Sequence, residues 1–230
     1  MVHTPLEQLP RATGPLPIFA FALVVALVGA GAPACSGSDT TSSDASAPVG
    51  TATVDSDAGS RLDGGPTQIQ APCPVFVDAP AILPRNHVAI GTAVQYDSNP
   101  PSSGPHYPIW AAYQTYAAPV DLRYLVHNLE HGAVLLLYQC NDDPSLCAGR
   151  AAALQSVSDA LTDDAVCAPQ GVRVRTIVAP DPQLLTPIGA AAWGWTYQAD
   201  CIDLPSLQAF AAAHYGQGPE LICTNGTTQF

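Results

Sequence analysis

The 230-residue sequence predicts an α+β domain, a two-layer sandwich with a mainly antiparallel sheet, stabilised by disulfides. Three observations carry this prediction. From Gly132 onward, strand-type apolar runs and helically spaced ones follow in the order β-α-β-β-α, a split pattern of two-layer α+β folds. An even set of six cysteines (Cys73, Cys140, Cys147, Cys167, Cys201 and Cys223) lies from residue 67 onward, as in exported disulfide-bonded domains. The stretch Tyr96–Trp110, "YDSNPPSSGPHYPIW", is too rich in proline for a helix, so the domain also carries a long, stiff loop.

In chain order, Ile18–Ala30 is an apolar run preceded by Arg11. It is shorter than the roughly 20 residues of a membrane span, so it reads as an export signal. Ala32-Pro-Ala-Cys35 then offers ordinary cleavage after Ala34, or a lipoprotein site at which Cys35 is acylated and becomes the mature N-terminus. Ala32 stands where a lipobox usually has leucine, but removing Cys35 turns seven cysteines into an even six, which favours the lipoprotein form. Residues 35–66, rich in Ser, Thr and Asp and without aromatics, read as a disordered tether. The expected organisation is a signal peptide at 1–34, a tether at 35–66 and a globular domain at 67–230. The domain is then lipid-anchored to the membrane at Cys35, in the bacterial cell envelope.

Within the domain, Pro72, Pro74, Pro80 and Pro84 make Ala71–Asn86 an extended arm, and His87–Ile90 reads as a short strand. Asp121–His131 has apolar residues at 122, 125, 126 and 129, a helical spacing, with Gly132 as the stop; a strand entering the next segment is the alternative. Gly132–Tyr138 is a continuous apolar run of buried-strand type. Asp143-Pro144 opens a helix with Leu154, Val157 and Leu161 on one face. Val172–Val178 alternates as a half-buried strand, and Ile188–Tyr197 reads as the next strand. Asp203 caps a helix through Tyr215, ended by Gly216. Both of these helices are expected on one face of the sheet. Six cysteines allow 15 connectivities, but Cys147 and Cys167 flank one helix and Cys201 and Cys223 the other, so pairing within each couple is expected.

The chain has no lysine, and from Thr67 onward five arginines face thirteen acids. Neutralising phosphates needs clustered basic residues, so nucleic acid is excluded as a partner. An acidic surface gives solubility and attracts cations.

Four of the six histidines, His87, His106, His127 and His131, fall within one short span. Imidazole is the commonest borderline metal ligand, and a zinc or copper site needs three or four such donors converging. On a helix, His127 and His131 stand one turn apart on one face with Glu130 beside them, as a base, as a ligand or as an acceptor for a ligand's N–H. On a strand the two histidines still share a face, but Glu130 points away. His106 ends the stiff loop, His87 precedes it, and Tyr96, Asp97 and Tyr107 are near in sequence. Three chemistries fit this set: a metal site, a polar network that pins the loop, and metal-free acid–base catalysis with Glu130 as the catalytic group. His214 reads as a packed or capping histidine near a helix end. Met1 is the only methionine, which excludes a methionine-rich copper(I) carrier.

His127-Asn-Leu-Glu-His131 also spells H-x-x-E-H, the zinc signature of the inverzincin peptidases. Their third ligand is a glutamate on a second helix well downstream. The only glutamate after Glu130 is Glu220, near the C-terminus, and the domain is small, so that reading is set aside. The loop "NPPSSGPH" (Asn99–His106) and "VHNLEHG" (Val126–Gly132), with "AAWGW" and a late "GPE", resemble the domain-of-unknown-function family 3105. The resemblance covers His87 to Glu220 and implies that His87, Tyr96, His106, His127, Glu130 and His131 are family motif positions. It brings no activity with it. The expected function is an exported domain with a histidine-rich zinc or copper site; the alternatives are a metal-free surface interaction domain and a zinc-dependent hydrolase.

Overall fold

The computed structural model describes residues 71–230, together with the short strands at 53–54 and 67–69. The expected signal peptide, the acylation site Cys35 and most of the tether lie outside the described residues. Within the expected tether, β1 (Thr53–Val54) pairs in parallel with β4 (Gln95–Tyr96).

The main sheet has six strands in the order β2-β3-β8-β7-β5-β6: β2 (Thr67–Ile69), β3 (Val75–Asp78), β5 (Val134–Tyr138), β6 (Thr176–Pro180), β7 (Ile188–Ala192) and β8 (Trp195–Ala199). Of the pairings in this sheet, β5 with β6 is parallel and the others are antiparallel. The fold is α+β, as the sequence predicts. The proline-rich arm contributes β3, paired with β8.

Three helices pack on this sheet: α1 (Leu122–Glu130), α2 (Cys147–Ala160) and α3 (Leu204–His214). The run Val134–Tyr138 is apolar throughout because both of its faces are covered. Leu135 and Leu137 pack with Leu122, Leu125, Val126 and Leu129 of α1. Val134, Leu136 and Tyr138 pack with Leu154 and Val157 of α2 and with Leu207 and Phe210 of α3. Helices α2 and α3 thus share one face, as expected, while α1 and the proline-rich loop cover the other.

Three expectations are corrected. Ile188–Tyr197 is a hairpin rather than one strand. Its turn is Trp193-Gly194, where Gly194 takes φ 75°, a left-handed conformation that glycine adopts without steric cost. Second, the strand expected at Val172–Val178 begins at Thr176 and runs to Pro180, and its expected half-buried pattern would put Arg173 and Arg175 in solvent. Arg173 is 42% exposed, but the Arg175 side chain is 3% exposed, held between the Asp164 carboxylate and the His131 carbonyl. Third, the disulfides are Cys73–Cys201, Cys140–Cys147 and Cys167–Cys223. A helix of 14 residues is about 21 Å long, so cysteines at its two ends stand apart. Antiparallel pairing of β3 with β8 instead carries Cys73 to Cys201, with Cα atoms 5.9 Å apart.

Among the described residues, no helix is long and apolar enough to cross a membrane.

Candidate metal centre

Helix α1 is the platform of the site. Asp121 caps its start, its side chain accepting from the Arg123 N–H, and Gly132 ends it with φ 79°. Every residue of α1 is buried, so each polar side chain in it needs a partner. Asn128 clamps the exit of the proline-rich loop, donating to the Ala111 carbonyl at 2.8 Å and accepting from the Ala111 N–H at 3.0 Å. His127, Glu130 and His131 face the loop and the C-terminal segment.

The loop is tied to α1 by the Tyr107 N–H, which donates to the Arg123 carbonyl at 3.1 Å. Its Tyr96 hydroxyl donates to the Pro105 carbonyl at 2.9 Å, and the Tyr107 hydroxyl accepts from the Gly91 N–H at 2.9 Å. The two tyrosines therefore brace backbone rather than imidazole. At Gly104, φ is 125° and a side chain would press on the Tyr96 ring at 3.1 Å. An isolated parallel bridge joins His87 to His106, with the Val88 N–H donating to the His106 carbonyl at 2.8 Å. That bridge brings together two histidines that lie on either side of the loop.

His87, His106, His127 and Glu130 consequently converge, each offering a ligand atom within 4.8 Å of the others. His106 and His127 are buried, whereas the His87 side chain is 51% exposed and marks the solvent side. The fourth predicted histidine, His131, falls into an adjoining group with Glu130 and Glu220. The two groups touch, since His127 Nε2 and His131 Nε2 are 3.1 Å apart. Glu130 belongs to both.

The ring nitrogens show which atoms are available. His106 Nδ1 lies 2.8 Å from the Gly104 carbonyl, and His127 Nδ1 lies 2.5 Å from the Tyr107 carbonyl. A carbonyl only accepts, so each Nδ1 carries a proton and each ring turns its Nε2 into the cluster. His106 Nε2 then faces Glu130 Oε2 at 3.0 Å. Two lone-pair atoms that close require a cation between them, either a proton or a metal ion. Burial pushes His127 down to about 3 and His131 down to about 4, and the neighbouring histidines push the same way. Both rings are therefore neutral near pH 7, the form that binds metal.

Sequence reasoning did not place three further groups. Trp110 sets its ring against His127 and His131, at centroid distances of 5.0 and 4.5 Å. Arg85 Nη1 lies 3.4 Å from Glu130 Oε1 and 3.2 Å from Glu220 Oε1. Glu220, set aside as a distant glutamate, comes within 3.7 Å of His131 Nε2. It does so from the segment after α3 rather than from a helix, so the peptidase arrangement is not reproduced. The signal for Glu220 was present in the late "GPE".

Glycines and one buried ion pair bring Glu220 in. The Gly216 N–H donates to the Gly132 carbonyl at 2.9 Å, and the Glu220 N–H donates to the Glu130 carbonyl at 3.0 Å. Any side chain at Gly218 would collide with the Gly132 nitrogen and the Glu130 carbonyl. Beneath this contact, Arg175 donates to Asp164 Oδ2 from Nη2 at 3.0 Å and to the His131 carbonyl from Nη1. The Tyr215 hydroxyl donates to Asp164 Oδ2 at 2.7 Å and accepts from the Arg175 N–H at 2.9 Å.

Burial alone raises the Asp164 carboxyl. Hydrogen bonds from Tyr215, from the Cys167 and Val166 N–H groups and from Arg175 outweigh it and hold the group at about 2. An unfolded Asp titrates near 3.9, so the depressed value stabilises the fold by about 2 kcal/mol above that pH. The contribution is lost as pH falls from about 4 to about 2. Denaturant melts of the wild type and of Asp164→Asn should therefore converge by roughly that amount between pH 5 and pH 2. A constant gap across that range would contradict the assignment.

The sequence profile of a family described as "Protein of unknown function (DUF3105)" matches residues 87–225, more than half of the chain. The chain belongs to the DUF3105 family. The matched span runs from His87, the first histidine of the cluster, past Glu220, so the DUF3105 region includes both ligand groups. No curated protein and no solved structure matches the chain.

Proposed function

We propose that this DUF3105 domain is an exported metal-binding module that takes zinc or copper at His87, His106, His127 and Glu130. One observation carries the reading: His106 and His127 each give Nδ1–H to a backbone carbonyl, which leaves Nε2 to ligate, and both rings offer a ligand atom within 4.8 Å of one another and of Glu130. That outer-shell bond is the usual partner of a metal-ligating histidine, since it sets the tautomer and the ring angle. Two nitrogens on one tetrahedral zinc stand about 3.3 Å apart, a spacing that the close nitrogen and oxygen pairs here approach. Glu130 is assigned as a ligand rather than as a catalytic base, because its side chain is 3% exposed and its oxygens already face His106, His87 and Arg85. Three disulfides agree with an oxidising compartment. Anchoring through an acylated Cys35 in the bacterial cell envelope belongs to the same proposal, on the sequence alone.

The test uses the full chain with its disulfides intact, stripped by chelator, dialysed against zinc or copper(II) and then desalted. At least one ion per chain is expected to remain, and His106→Ala should retain one ion fewer than the wild type. If neither metal is retained, the metal reading fails and a structural histidine network takes its place.

A further inference from the structure

We infer that the centre is binuclear, with Glu130 as a carboxylate bridge between two divalent ions. The inference rests on the metal-binding reading above and extends it. It starts from the two oxygens of Glu130, which point to different places. Oε2 lies 3.0 Å from His106 Nε2 and 3.9 Å from His87 Nε2, inside the first group. Oε1 faces the other way, toward Arg85 Nη1, which also holds Glu220 Oε1. Glu220 Oε2 in turn lies 3.7 Å from His131 Nε2. Oε2 thus serves the first group, while Oε1 lies on the side that Arg85 shares with Glu220, and Glu130 belongs to the group of His131 and Glu220 as well.

The first set, His87, His106, His127 and Glu130 Oε2, supplies four ligands, enough to close a tetrahedral zinc site. The second set, His131, Glu220 and Glu130 Oε1, supplies three. Three protein ligands leave one position for water, the pattern of an exchangeable or reactive ion rather than a sealed one. His131 is fully buried, so its position beside two carboxylates is fixed by packing rather than by solvent.

A cation already neutralises the two carboxylates of the second group. Arg85 Nη1 bridges the two carboxylates, which would otherwise repel each other across a partly desolvated gap. The Arg85 side chain is 52% exposed, so it can swing into solvent when a divalent ion takes its place. Arg85 then acts as a tethered competitor that keeps the second position neutralised until metal arrives. Trp110 covers the other side of His127 and His131, and its indole N–H is tied to the Thr224 carbonyl at 3.1 Å. Loading therefore proceeds from the Arg85 and His87 side.

Zinc alone serves as the probe. The oxidised full chain is stripped, loaded, desalted and analysed for zinc per chain, and thermal melts check that each variant folds. The wild type should retain two ions and Glu220→Gln one. Arg85→Gln should retain two, with the second held several-fold more tightly in competition with a chromogenic chelator. One ion in the wild type overturns the binuclear centre and leaves the single-metal reading standing; none overturns both. Two ions in Glu220→Gln overturn the ligand role of Glu220. An unchanged second affinity in Arg85→Gln overturns the competition, whatever becomes of the Glu220 variant.

Discussion

Arg175→Met is expected to destabilise the domain by about 3–5 kcal/mol and to loosen the second ligand group. The stability loss follows from burial: the Arg175 and Asp164 side chains are 3% and 7% exposed, so removing the cation strands a carboxylate in a poorly solvated place. The low end of the range is expected, because Asp164 keeps its hydrogen bonds from Tyr215 and from the Val166 and Cys167 N–H groups. The functional loss follows from what else Arg175 holds. Its Nη1 satisfies the His131 carbonyl at the end of α1, and its Nη2 holds Asp164 Oδ2, the oxygen that accepts from the Tyr215 hydroxyl just after α3. These two ends are the ones that meet through Gly132 and Gly216 to present Glu220. A chemical melt of Arg175→Met, set beside Asp164→Asn and the double variant, separates the pair from its surroundings. Additive single effects would mean that no coupling exists and that the buried pair is not the anchor.

That anchor lay beyond sequence reasoning for a specific reason. The alternation in Val172–Val178 is real, and Val172 and Val174 are buried as it implies. Alternation says which residues share a face, but not whether a carboxylate from another segment waits on the opposite one. Arg175 is buried because Asp164 and the His131 carbonyl are there, and neither is a local feature. The cluster itself was far more legible. The i, i+4 spacing of His127 and His131 and the placing of Glu130 beside them follow from helical geometry once Asp121 caps α1. Proline stiffness pointed to a fixed loop, and the bridge between His87 and His106 delivers it. Spacing could not divide the histidines into two groups, since that depends on Glu220, brought in over 90 positions by glycine contacts. The hairpin at Trp193-Gly194 was missed although its glycine stood inside an apolar run, a usual mark of a turn.

Replacing both Cys73 and Cys201 with serine should cost about 5 kcal/mol, the largest of the three disulfide effects. The bond joins positions 128 residues apart, and the entropy withheld from the unfolded chain grows with the logarithm of that separation. By the same scaling, Cys167–Cys223, with a separation of 56, is worth about 4 kcal/mol, and Cys140–Cys147, with a separation of 7, about 2.5 kcal/mol. A loss near 5 kcal/mol approaches the whole stability of many domains and corresponds to a fall in melting temperature of roughly 10–20 °C. Thermal melts of the three double-serine variants should therefore rank in the order of their separations. Equal losses from the longest and shortest bonds would show that local strain or packing, rather than chain entropy, sets the effect. The middle bond should behave differently in a second assay. Cys223 lies three residues after Glu220 and ties its segment to Cys167, close to Asp164. Its removal should lower retention of the second ion as well as stability, whereas removal of Cys73–Cys201, at the β3–β8 end of the sheet, should lower stability alone at temperatures where the domain remains folded.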